Sequence, residues 1–233
     1  MKQRLYLIHG LMGTGEQHFH PQLMNLKDKF DLYPIDLPGH GSNQEPAADP
    51  YFEHALEWVA QHIRIQGKGH IMGVSLGASI GIHLAIRYPE LVESLILTGY
   101  APFIPQYLEE TMEKQYHSFL AIKETAPETA SHFQSLHGDR WYKTLKLVLD
   151  TFTYHYPTMT KVDFEKLIVP TLLLNGEKEK HECEAAILLK EYSKNIHIGL
   201  VPFAGHVANL EQPEMYNHLV TTFINKISTL QQA

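Results

Sequence analysis

The chain has 233 residues, 44% hydrophobic and 19% charged, which suits one domain with a full core and excludes a disordered or fibrous protein. A formal net charge of −7 with no cluster of Lys and Arg argues against nucleic acid or an anionic membrane as the main partner, since both require concentrated positive charge. The single cysteine, Cys183, excludes an internal disulfide, agrees with a reducing compartment and reads most simply as a helix-packing thiol.

The amino terminus enters an apolar strand at Leu5 to Ile8 within four residues. That run is too short for a signal sequence or a membrane span, so the expectation is a cytoplasmic protein with no membrane span. The loop His9-Gly10-Leu11-Met12-Gly13-Thr14-Gly15 follows. Its glycines could cradle a phosphate, but no Gly-Lys-Ser/Thr follows them, and no nucleotide site is expected. A helix is predicted over about 18–29. Its His18 and His20 lack the further ligands that would suggest a metal, and among 16 histidines they read as surface residues.

A strand at Leu32 to Ile35, a helix over 51–65 and a strand at His70 to Val74 come next. Ile80, His83, Leu84 and Arg87 then recur at helical spacing over 76–87 before Tyr88-Pro89 ends the helix. A strand at Leu95 to Thr98 follows, and beyond an irregular stretch come Thr171 to Leu174, a helix over 182–193, Ile196 to Val201 and a helix over 213–228. Short apolar runs alternating with amphipathic stretches predict an α/β fold, a mostly parallel open sheet with helices on both faces.

From Ala101 to Val169 there is no convincing strand and a single glycine, Gly138. The expectation is a helical lid insertion at 101–164 within a core formed by 1–100 and 165–233. Leu108, Met112, Tyr116, Phe119 and Leu120 share one helical face, and Trp141, Leu145, Val148, Leu149 and Phe152 share another. Most of these residues should pack into a core, and a lid needs only a few of them facing a cavity.

Chemistry is carried by Gly73-Val74-Ser75-Leu76-Gly77, an apolar strand, a sharp turn and a helix. The glycines admit a strained turn that exposes the Ser75 hydroxyl as a candidate nucleophile. A serine hydroxyl needs a base, an orienting acid and donors for the oxyanion. His206, in Phe203-Ala204-Gly205-His206 after the last strand, emerges at the same sheet edge as Ser75 because parallel strands end together. The acid is expected after the preceding strand, in Asn175-Gly176-Glu177-Lys178-Glu179-Lys180, where Glu179 is the choice and Glu177, Glu182 and Glu184 stand close enough to compete. The Leu76 N–H at the helix start is the first oxyanion donor, and the Leu11 N–H is the most plausible second.

These motifs resemble the α/β-hydrolase superfamily from about Leu5 to Phe223. Four blocks carry the resemblance: His9-Gly10, Asp36-Leu37-Pro38-Gly39-His40-Gly41, Gly73-Val74-Ser75-Leu76-Gly77, and Gly205-His206 with Glu211-Gln212-Pro213-Glu214. The resemblance implies Ser75 as nucleophile, His206 as base, Leu11 and Leu76 as oxyanion donors and the insertion as a lid over an acyl pocket, with no cofactor and no metal. The family usually places Asp where this chain has Glu179. Its menaquinone-pathway lyases carry Gly-Gly-Arg where this chain has Gly77-Ala78-Ser79, which disfavours a dicarboxylate substrate. The family's first two strands are expected to be absent. The expected activity is a carboxylesterase-like serine hydrolase acting on a small lipophilic ester or acyl substrate. Thioesterases, lactonases, perhydrolases, C–C hydrolases and lyases of the same fold are rivals, as is a hydrolase-fold ligand-sensing or partner-binding protein.

Overall fold

Side chains along each strand alternate between two helical layers, and that period of two builds the architecture. In a computed structural model describing residues 2–230, Leu5 and Leu7 face one layer while Tyr6 and Ile8 face the other. Met72 and Ile71, Ile96 and Leu97, and Leu172 and Leu173 divide in the same way. Met1 and residues 231–233 of the expected core lie outside the described residues.

The elements in chain order are β1 (Gln3–Ile8), α1 (Gly15–His18), α2 (His20–Leu26), β2 (Phe30–Ile35), α3 (Tyr51–Gln66), β3 (Gly69–Val74), α4 (Leu76–Arg87) and β4 (Val92–Thr98). The insertion follows as α5 (Gln106–Leu120), α6 (Ile122–Thr125), α7 (Pro127–His137) and α8 (Trp141–Tyr154). The chain then returns through α9 (Lys161–Glu165), β5 (Thr171–Gly176), α10 (Lys180–Tyr192), β6 (Ile196–Val201), α11 (Ala208–Glu211) and α12 (Pro213–Leu230). All six expected strands form, each at or within three residues of its expected start. The helix expected over 18–29 divides into α1 and α2 at Phe19, because Pro21 has no N–H for a continuous helix and belongs in a first turn.

All pairings in the six-stranded sheet are parallel, in the order β2-β1-β3-β4-β5-β6. One row crosses it through Ile8, Gly73, Leu97 and Leu173, so the loops after β1, β3 and β4 leave at nearly one level. The strand order reverses between β1 and β3, and in open α/β sheets such a reversal opens a crevice beyond the carboxyl ends. Helices α3, α4, α9 and α10 bury their apolar residues on one face of the sheet, and α2 and α12 on the other.

The insertion stands over that crevice with a small core of its own. Trp141, Leu145 and Leu149 of α8 pack there with Tyr116, Ile122, Ala130 and, from the loop after β1, Met12. Among the described residues no helix is long and apolar enough to cross a membrane.

Candidate active site

Between β3 and α4 the chain reverses on Ser75, whose φ of 55° and ψ of −115° cost a non-glycine residue roughly 1–3 kcal/mol. Burial of Leu76, Ile80, Ile82 and Leu84 in α4 outweighs this, at roughly 1.5–3 kcal/mol for each side chain. The Ser75 N–H donates to the Thr98 carbonyl at 2.9 Å, tying the turn to β4. Close approach accounts for the flanking glycines: a methyl on Gly77 would strike the Ile8 carbonyl oxygen, and one on Gly73 the Gly77 carbonyl oxygen. Gly77→Ala is therefore expected to destabilise by about 1–3 kcal/mol or more, read as a lower Tm. A wild-type Tm would mean that α4 is free to shift outward.

His206 follows β6 in a loop pinned by two carboxylates. Glu177 Oε1 accepts the Phe203 N–H at 2.8 Å, and Glu211 Oε2 accepts the Gly205 N–H at 3.0 Å. The His206 ring lies against Gly99, where a Cβ would come within 2.8 Å of Cε1 and 2.9 Å of Nδ1. Its Nδ1 meets Glu182 Oε1 at 2.5 Å, leaving Nε2 as the free ring nitrogen. Burial of the ring works to lower its pKa, but the hydrogen bond and charge of Glu182, helped by Glu179 and Glu211, raise it above the ordinary histidine value.

The carboxylate on His206 is thus Glu182 and not Glu179, a correction to the expectation from sequence. The cause is where α10 begins. The helix starts at Lys180 rather than 182, so Glu179 becomes its N-cap and Glu182 falls in its first turn, 1% exposed. A legible signal existed: Glu182, Ala185, Ala186 and Leu189 stand at i, i+3, i+4 and i+7, which puts a glutamate on the buried stripe. Asn175 locks this start in place, accepting the Tyr100 N–H at 3.2 Å and donating to the carbonyls of Tyr100 at 2.9 Å and Glu182 at 3.0 Å. Glu179 lies at the cavity wall without a hydrogen bond to His206.

Ser75, His206, Leu11 and Leu76 line one cavity of about 460 Å³ between the sheet edge and the insertion, within the size range of small-molecule sites. Ser75 and His206 are not hydrogen-bonded to each other among the described residues. The Leu76 N–H, first in α4, has no intrahelical acceptor, and the Leu11 N–H has no backbone acceptor among the described residues. Of the two apolar stripes, Leu108, Met112, Tyr116, Phe119, Val148, Leu149 and Phe152 reach the cavity, while Leu120, Trp141 and Leu145 pack within the insertion. Ser79 lines it too, where the lyase pattern would put an arginine. Its charged lining is Glu179 and Glu182, with no Lys or Arg. Among the described residues no three His, Cys, Asp or Glu side chains come together as a metal site would require.

Sequence reasoning also missed His18. It is no bystander at the surface: its Nδ1 accepts the Gly10 N–H at 3.1 Å, and Gly10 in turn packs against Ser75. Burial, then the nearby His206, lowers its pKa to about 4.

A family model described as alpha/beta hydrolase fold matches residues 3–137. The crystal structure of NosK from Streptomyces actuosus superposes with a TM-score of 0.90 and 31% identity, covering 98% of this chain and 100% of that one. Carboxylesterase YbfK of Bacillus subtilis is 26% identical over 239 residues, covering 94% of this chain and 79% of YbfK. The 2-(acetamidomethylene)succinate hydrolase of Mesorhizobium japonicum is 23% identical over 252 residues, covering 95% of this chain and 87% of that enzyme.

Proposed function

Because the chain belongs to the α/β-hydrolase fold family, we propose that it is a serine hydrolase cleaving a carboxylic ester, or a related acyl bond, of a small lipophilic molecule. The observation that carries this reading is the His206–Glu182 hydrogen bond, which leaves Nε2 free in the cavity that Ser75 also lines. Ser75 Oγ attacks the acyl carbon and passes its proton to His206 Nε2, while Glu182 steadies the imidazolium. The N–H groups of Leu11 and Leu76 receive the oxyanion. His206 then protonates the leaving alcohol, and a water deprotonated by the same nitrogen releases the acid from Ser75. The core at 1–100 and 165–233 carries the chemistry and the insertion at 101–164 serves as the lid. The apolar lining and its two carboxylates favour neutral over anionic acyl groups. A binding-only reading drew its support from an unusual acid at 179, and Glu182 on Nδ1 weakens that support.

The direct test is reaction with a fluorophosphonate probe and turnover of short and medium p-nitrophenyl esters, both dependent on Ser75. A wild-type protein that neither labels nor turns over would overturn the reading.

The raised His206 pKa sets the pH dependence. The base must be neutral, so kcat/KM is expected to climb with pH through an apparent pKa above the 6.5 of a free imidazole. Stability runs the other way. The His206–Glu182 pair contributes fully below about pH 6.5 and its contribution fades as pH rises through the folded pKa. A kcat/KM profile already flat at pH 6 would contradict the assignment.

A further inference from the structure

Three imidazoles converge on the turn that follows β1. His18 Nδ1 accepts the Gly10 N–H at 3.1 Å, His9 Nδ1 meets the Gly10 carbonyl at 2.8 Å, and His137 Nε2 meets the Met12 carbonyl at 3.1 Å. The bonds fix the tautomers: His18 Nδ1 accepts and so carries no hydrogen, and the other two rings are set by a second bond each. His9 Nε2 accepts the Leu37 N–H at 3.0 Å, so its proton is on Nδ1 and donates to Gly10. His137 Nδ1 accepts the Gly41 N–H at 2.9 Å, so its proton is on Nε2 and donates to Met12. Each ring is therefore neutral, one nitrogen accepting and the other carrying hydrogen.

The residue enclosed by these three bonds is Leu11. A trans peptide points its C=O and N–H in opposite directions, so holding the Gly10 carbonyl sets the direction of the Leu11 N–H. On the far side Met12 has a φ of 49°, unfavourable for a side chain of its size, and its carbonyl is held by His137. His137 ends α7, so it belongs to the insertion and not to the sheet. Its neighbours latch the insertion to the loop after β2: Arg140 Nη2 donates to the Gly41 carbonyl at 2.9 Å, and Thr144 Oγ1 to the Gly39 carbonyl at 3.2 Å.

We propose that His18 and His137, acting with His9, are positioning residues that clamp the Gly10–Met12 turn to present the Leu11 N–H to an oxyanion, and that His137 makes this presentation depend on the seating of the helical insertion. This rests on the serine hydrolase reading and adds to it a physical link between the roof of the cavity and the catalytic floor. With the insertion lifted, Met12 loses its donor and its strained φ has less to hold it. His9 and the Gly13 N–H still hold the Gly10 carbonyl, so the Leu11 N–H keeps its direction but is fixed from one side only, and one of two oxyanion donors is weakened while Ser75, His206 and Glu182 stay in place.

The test compares His137→Gln with His137→Asn. Glutamine places an amide donor near the position of Nε2 and can keep the bond to Met12. Asparagine reaches only as far as Nδ1 and keeps the Gly41 bond alone. With active sites counted by fluorophosphonate titration, His137→Asn is expected to lower kcat about ten- to hundredfold, short of the full loss of one oxyanion donor, with KM within about twofold. His137→Gln should stay within a few-fold of wild type. A merely structural role would reduce the number of titrated sites or lower Tm without splitting kcat between the two variants. Equal kcat in both variants, whether at the wild-type level or reduced alike, overturns the proposal. Nitrogen-15 spectra of the wild-type imidazoles give an independent reading: hydrogen is expected on Nδ1 of His9 and on Nε2 of His18 and His137, and any other pattern removes the clamp. An unlabelled, inactive wild type would overturn the hydrolase reading and the oxyanion role together, and the imidazole spectra would still show whether the clamp exists.

Discussion

Ser75→Ala is expected to abolish fluorophosphonate labelling and to cut ester turnover by about 10⁶-fold in kcat, the scale seen when a triad nucleophile is removed. Among the described residues only Ser75 combines the strained turn at the end of β3 with a place in the cavity that holds His206, so no neighbouring hydroxyl is expected to take over. Ser79 lines the same cavity, but it lies one helical turn further on in α4, where its N–H is already bonded to the Ser75 carbonyl. Alanine must occupy the same backbone conformation, so thermal unfolding should place the variant close to wild type and assign the loss to chemistry. Turnover that survives the substitution would remove Ser75 from the mechanism.

Glu182→Gln is the second large effect, with kcat expected to fall by roughly 10⁴-fold, as for the buried acid of a comparable triad. The amide cannot reproduce the carboxylate in either orientation. With oxygen toward His206, the charge that stabilises the imidazolium is gone. With nitrogen toward it, the amide donates to Nδ1 and drives the ring proton onto Nε2, the atom that accepts from Ser75 in the proposed mechanism. The Glu182 Oε2 atom is buried without a partner, so the second half of the amide gains nothing there. His206 also loses the partner that raises its pKa, and the acid limb of kcat/KM should move to lower pH. Glu179→Gln should leave kcat within a few-fold, since Glu179 makes no bond to the imidazole. The reverse ranking of the two variants would restore Glu179 as the orienting acid.

The confusion between these glutamates shows what a linear reading can carry. Ser75 was legible because the glycines around it report a backbone conformation and a close approach to Ile8, both local demands. His206 was legible because parallel strands end together, so a loop after β6 had to meet a loop after β3. Glu182 was harder, since a two-residue error in the start of α10 exchanges the N-cap for the first turn and rotates each candidate to another face. His18 and His137 were not legible at all: they reach Gly10 and Met12 from the ends of α1 and α7, and these contacts exist only once both helices have packed beside the loop after β1.

The periodicities of apolar residues and the small residues flanking Ser75 were enough by themselves to establish an α/β sheet with an inserted helical segment and a serine at its edge, because these patterns reflect energies set within a few residues. Which carboxylate meets His206, which insertion residues reach the cavity and which imidazoles hold the Leu11 turn were decided only by the tertiary structure. Each of these is a contact between segments far apart in the chain, and its geometry exists only once the layers have packed.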